Sequence, residues 1–221
     1  VDMHTAKAED LIRLYIDEKI SILKRLGIKQ IAEAAEIVWL AYQNDNTIYA
    51  CGNGGNAGFV ANLITDLTQH PFVSEDKHHF FPKEIRRLRA IDLTASGAVL
   101  TAITNDMGFD NVFSQQLIND RIVAGDVVFG FTGSGNSGNI IEAFRVAKSF
   151  GAKTIAITRG TGGKVRAIAD LCIIIPGDSV FPGQTGGNNN NFHYEDELSS
   201  IAHMITGILV DRISVEHIKR A

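Results

Sequence analysis

The chain has 221 residues, of which 45% are hydrophobic, enough for one full core. Its formal net charge is -4, and apart from "KEIRRLR" at 83–89 its Lys and Arg residues are scattered, which argues against nucleic acid as a ligand. No apolar run reads as the roughly 20 residues that cross a bilayer, and "VDMHTAKAEDL" lacks the basic-then-apolar order of a signal peptide, so a soluble protein with no membrane partner is expected.

In chain order, "AEDLIRLYIDEKISILKRLG" and "IKQIAEAAEIVWLAYQND" place apolar residues at helical spacing, predicting two amphipathic helices within residues 1–45. Alternating units follow over 46–221. These are strand "NTIYACG" with a helix from Asn56 to Thr68; strand "RLRAIDLT" with helices "GAVLTAITND" and "NVFSQQLIND"; and strand "DVVFGFTG" with helix "NSGNIIEAFRVAKSFG". Then come strand "KTIAITR" with helix "GKVRAIAD", strand "LCIIIP", and a long helix from Tyr194 to Lys219. Strands rich in Val, Ile and Ala that alternate with helices imply one α/β domain: three α-β-α layers, doubly wound, around a mostly parallel sheet, with an N-terminal helical extension. Cys51 and Cys172 fall in predicted interior strands, as reduced thiols of a cytoplasmic protein would.

Two segments interrupt the alternation. Residues 69–85 and 177–192 carry three of the four prolines and read as loops, either as plain surface or as covers over a ligand. His70, His78 and His79 cluster in the first and read as exposed loop histidines, with metal binding as the alternative; the "NNNN" run at 188–191 in the second has no evident mechanism.

Ligands of open α/β sheets sit beyond the carboxyl ends of the strands, and two such places are rich in small polar residues. "CGNGGNAG" (51–58) offers Asn53, Gly54 and Asn56, which also read as a helix cap and a tight turn. "FTGSGNSGN" (131–139) offers the hydroxyls of Thr132, Ser134 and Ser137 with the backbone amides of Gly133 and of a helix start, a nest suited to phosphate. Neither loop carries the dinucleotide fingerprint or a P-loop lysine, so no nucleotide cofactor is expected.

"CGNGG", "TAITNDMGFDNVFS", "GDVVFGFTGSGNSGN" and "AKSFGAKTIAITRGTGGKV" follow one another in an order that resembles sugar isomerase (SIS) domains over nearly the whole chain, and most of all their phosphoheptose isomerase branch. The resemblance implies a flavodoxin-like fold and conversion of sedoheptulose 7-phosphate to D-glycero-D-manno-heptose 7-phosphate. It implies Asp66 as catalytic base, at the place of the family's glutamate, His203 as acid or proton shuttle, and Asp106 of the Asn–Asp pair as a residue that shapes the site. It further implies a divalent metal, zinc or else manganese or magnesium, at positions held here by Asn62, Asp66, Glu195 and His203, where the family carries histidine, glutamate, glutamine and histidine. Finally it implies a homotetramer built by the leading helices, whose active sites draw on neighbouring subunits. Two alternatives stay open: a non-catalytic SIS module that binds a sugar phosphate or associates with a replication initiator, and an isomerase of a different ketose phosphate. Taken alone, Asp66 in "LITDLTQ" also reads as a solvated helix residue, His203 as a core histidine, and Glu195 as a helix-start acid favoured by the dipole.

Overall fold

In a computed structural model that describes residues 7–73, 77–78 and 85–218, with side chains of the last helix described through 215, five strands form one parallel sheet in the order β2-β1-β3-β4-β5. The elements are α1 (Ala8–Leu23), α2 (Ile28–Gln43), β1 (Thr47–Gly52), α3 (Gly55–Gln69), β2 (Arg89–Asp92), α4 (Gly97–Met107) and α5 (Ser114–Asn119). They continue with β3 (Val127–Phe131), α6 (Gly138–Ser149), β4 (Lys153–Arg159), β5 (Leu171–Ile175) and α7 (Asn191–Ile218). The chain leaves β1 towards β2 on one side and returns to β3 on the other, so strand order reverses between β1 and β3, where such sheets bind ligands.

Alternation along the strands builds the two faces. Ile48 and Ala50 of β1 join Val127, Phe129 and Phe131 of β3 in a core shared with α2, α3 and α7, while Tyr49, Cys51 and Val128 face α5 and α6. The three layers are those the sequence predicts, and the sheet is parallel throughout. α2 is a core helix, burying Ile31, Ala34, Ala35, Val38, Ala41 and Tyr42. α1 buries Ile22 alone and leaves Ile12, Ile16, Ile20 and Leu23 exposed along one stripe.

Three details differ from the sequence expectation. "GKVRAIAD" forms only a 310 turn, Lys164–Ala167, because the Val165 N–H donates to Gly135 O across the loop (2.9 Å), which leaves it no role in an α-helical ladder. Residues 70–72 form a 310 turn that continues α3; of the predicted loop 69–85, residues 74–76 and 79–84, including His79, lie outside the described residues, as does Lys219 at the predicted end of α7. The helical stretch Gly186–Val215 is long and apolar enough to pass for a membrane span by length and composition, against the expectation that no such run exists. In the fold it packs against α2 and α3 as a core helix.

Candidate functional site

β3 ends in the buried Thr132, whose hydroxyl lies 3.1 Å from that of Ser137 at the start of α6. Ser137 caps α6 by position but not by a side-chain bond, which leaves its Oγ to converge with Thr132 above the helix N-terminus. The loop between them is tied into a tight turn by Gly135 N–H donating to Thr132 O (3.1 Å) and Asn136 N–H donating to Ser134 Oγ (3.2 Å). Hydroxyls, helix dipole and amides thus gather at one helix start, which suits an anion.

The glycine loop of β1 lies beside it. Gly54 sits at φ +58, a backbone state that disfavours side chains, and turns the chain into α3. Asn53 therefore does not fill the positive-φ position. Its amide exchanges two hydrogen bonds with buried Asn139 of α6, Asn53 Nδ2 to Asn139 Oδ1 (2.9 Å) and Asn139 Nδ2 to Asn53 Oδ1 (2.8 Å), which locks the two loops together. Asn56 Oδ1 is buried without a partner, an orphan acceptor beside the same loop.

Asp66 lies three turns further along α3. It is 5% exposed, so the reading as a solvated helix residue does not hold. Asn62 Nδ2 donates to its Oδ2 (3.1 Å), His203 Nε2 of α7 lies 3.2 Å from the same oxygen, and His70 Nε2 lies 3.4 Å from Oδ1. His203 is exposed rather than a core histidine, and it and His70 flank the buried carboxylate. The loop reading of His70 thus gives way to a carboxylate partner; the i,i+4 spacing from Asp66 was the available signal.

Glu195 and Asp106 stand apart from this cluster. Glu195 accepts from Asn191 Nδ2 (3.0 Å) and lies against Gly55 at the other end of α3. Asp106 is exposed at the end of α4, where Asn105 Nδ2 donates to it (2.8 Å). Of the four residues expected to hold a metal, Asn62, Asp66 and His203 come together and Glu195 does not. Among the described residues no three His, Cys, Asp or Glu side chains are arranged to hold an ion, and the set that does come together is one donor short of the four that the resemblance implies. Arg159, at the end of β4 beside Gly133, is a cation that the sequence motifs did not single out.

The family model described as SIS domain matches residues 14–159. The chain is 35% identical over 170 residues to the phosphoheptose isomerase of Aquifex aeolicus (strain VF5), covering 77% of this chain and 83% of that protein. It is 38% identical over 174 residues to that of Neisseria meningitidis (strain Z2491), covering 76% and 83%. The solved structure of the phosphoheptose isomerase from Neisseria gonorrhoeae superposes with a TM-score of 0.75 at 27% identity, covering 92% of this chain and 98% of that one. Fold, loop chemistry and these similarities agree: the chain belongs to the SIS-domain family, in the branch of the phosphoheptose isomerases.

Proposed function

We propose that this protein is an aldose-ketose isomerase that converts sedoheptulose 7-phosphate to D-glycero-D-manno-heptose 7-phosphate. The observation that carries the reading is the buried Asp66 carboxylate with the His203 imidazole at 3.2 Å, a base and a proton carrier side by side in a chain related to phosphoheptose isomerases. Asp66 removes a proton from C1 of the ketose, the C1–C2 double bond forms, and the carbonyl electrons pass to O2, which His203 protonates. The enediol then loses its O1 proton to His203 while Asp66 returns a proton to C2, leaving the aldehyde at C1. Asp66 is a methylene shorter than glutamate, so its neighbours must hold it within about 1 Å of its working position. Thr132, Gly133, Ser134 and Ser137 anchor the phosphate, and Asn53, Gly54 and Asn56 border the sugar, with Asp106 on the rim.

One chain does not bring both halves of this chemistry together. α3 connects two parallel strands, so it runs back along the sheet, and the 11 residues from Gly55 to Asp66 carry the carboxylate about 16 Å from the glycine loop. That is further than the substrate reaches from phosphate to C2. The site is therefore composed from neighbouring subunits of a homotetramer, with the apolar stripe of α1 as a contact surface. Two free cysteines suit a reducing, cytoplasmic compartment.

The same separation favours a second reading, a binding module in which nest and Asp66 never meet. Turnover of ketose phosphates from pentulose to octulose by wild type, Asp66→Ala and His203→Ala distinguishes the two. Wild-type turnover of the heptulose that both substitutions abolish supports the isomerase; turnover of a shorter or longer sugar alone reassigns the substrate; no turnover supports the module. Zinc, manganese and magnesium content of the purified protein tests the metal: a stoichiometric ion lost in Asp66→Ala and His203→Ala supports it, and its absence from wild type counts against it.

A further inference from the structure

Arg159 ends β4 directly across from Gly133, the second residue of the anion nest, and its backbone N–H donates to Gly133 O (3.2 Å). The guanidinium is braced on its far side. Nη1 donates to Asn189 O and Nη2 to Gly187 O, both at 2.6 Å, so the 187–189 segment holds the side chain in one orientation. That segment is itself fastened: Asn189 Oδ1 accepts from Ser179 N–H (3.0 Å), and Asn190 Nδ2 donates to Pro176 O (3.1 Å). Ser179 Oγ and Val180 N–H then donate to Glu18 of α1 (2.7 and 2.8 Å).

The remaining edge of the guanidinium lies against Gly133 of the nest, with Tyr194 and Asn191 beside it. Arg159 Nε is buried and has no partner, and a Cβ built on Gly133 would stand 3.3 Å from it. Among the described residues no carboxylate pairs with Arg159. A buried, unpaired donor on a cation is costly unless a ligand completes it. The nest offers hydroxyls and amides but no net charge, whereas a phosphomonoester carries up to two negative charges near neutral pH. A guanidinium already fixed in orientation loses little further freedom when it meets such an anion.

We propose that Arg159 is a substrate-binding residue that contacts the phosphoryl group held by residues 132–137, and that segment 176–190 is the brace that aims it. This rests on the reading of 132–137 as the phosphate site. Gly133 is then glycine because a side chain would stand between the guanidinium and the phosphoryl oxygens.

Calorimetric titration with inorganic phosphate and with sedoheptulose 7-phosphate tests this on wild type, Arg159→Gln, Arg159→Lys and Gly133→Ala, with melting temperatures to verify folding. Arg159→Gln is expected to weaken both ligands about tenfold or more, Arg159→Lys to recover part of the loss, and KM to rise more than kcat falls. Gly133→Ala, which keeps the arginine's charge but crowds its Nε, is expected to weaken both ligands as well, and it carries the test if Arg159→Gln does not fold. Wild-type phosphate binding that Arg159→Gln or Gly133→Ala leaves unchanged overturns the role of Arg159 and leaves the phosphate site standing. Failure of the folded wild type to bind either ligand overturns both.

Discussion

Asp66 is buried yet makes its contacts with groups that donate or carry protons, an arrangement with a use in proton transfer. Asp66→Asn and His203→Ala are each expected to lower kcat by about 10²- to 10⁴-fold with smaller changes in KM, and the double variant to lose little more than the worse single one. A second buried carboxylate is Glu197 on α7, where burial outweighs the opposing pull of Ser200, Lys19 and His193 and holds its pKa above the usual range. The folded state then binds the proton more tightly than the unfolded chain, so stability falls as pH rises from about 4.5 through the raised value. Glu197→Gln is expected to raise the Tm at pH 7 by about 2–4 °C, a gain that shrinks on acidification towards pH 4 in calorimetric scans. Thr132 and Ser137 could be picked out from the sequence because hydroxyls beside a helix start are a local property, whereas Asp66 and His203 came only from the resemblance to SIS domains. His70 offered only its i,i+4 spacing from Asp66, at the point where α3 passes into a 310 turn, and Arg159 offered nothing, since its place depends on strand register and a distant loop. The asparagine run was opaque for the same reason: Asn189, Asn190 and Asn191 bond to residues 178–179, 176 and 195.

The elements themselves followed from periodicity, and β4 agrees residue for residue with "KTIAITR". The failure at 164–167 is a contest between a short weak helix and one backbone N–H claimed by a neighbouring loop. α6 approaches β3 closely at Gly130, where an added Cβ would meet Ile140 and Phe144 inside contact distance. Gly130→Ala is expected to destabilise by about 1–3 kcal/mol in denaturant unfolding, since the helix must lift from the sheet. α1 is fastened by a polar cluster: buried His193 Nε2 lies 2.8 Å from Glu18 Oε2, and Tyr15 stacks on the imidazole. Burial pushes the Glu18 carboxyl up, but the Ser179, Val180 and His193 contacts outweigh it and hold the group below the usual range. Stability from Glu18 is therefore complete above about pH 4.5 and is lost as pH falls through the lowered value. Glu18→Gln is expected to lower the neutral Tm by about 4–8 °C and to flatten its decline in acid.

At the scale of the whole molecule, α3 and α7 run side by side: Gly55 lies by Glu195 and Asp66 by His203, so the pair carries one half of the proposed chemistry at each end. A composed site makes a sharp expectation. Mixing inactive Asp66→Asn subunits with inactive Ser137→Ala subunits, then unfolding and refolding them together, should restore activity of up to about a quarter of wild type, because some interfaces pair two intact halves. Ile16→Glu, in the middle of the exposed α1 stripe, should reduce the assembly in analytical ultracentrifugation and remove activity with it. Periodicity says only that such a stripe exists, not what covers it.

The two amides that join Asn53 to Asn139 also set a chemical lifetime. Asn53 precedes Gly54, whose missing side chain leaves the peptide nitrogen open to attack the amide carbon, the first step of conversion to aspartate. That change replaces the donor facing Asn139 Oδ1 by an anionic oxygen, so one of the two bonds across the seam becomes a repulsion. Ageing of the protein at mildly alkaline pH should thus show itself as aspartate at position 53, with activity falling in step as the two loops part.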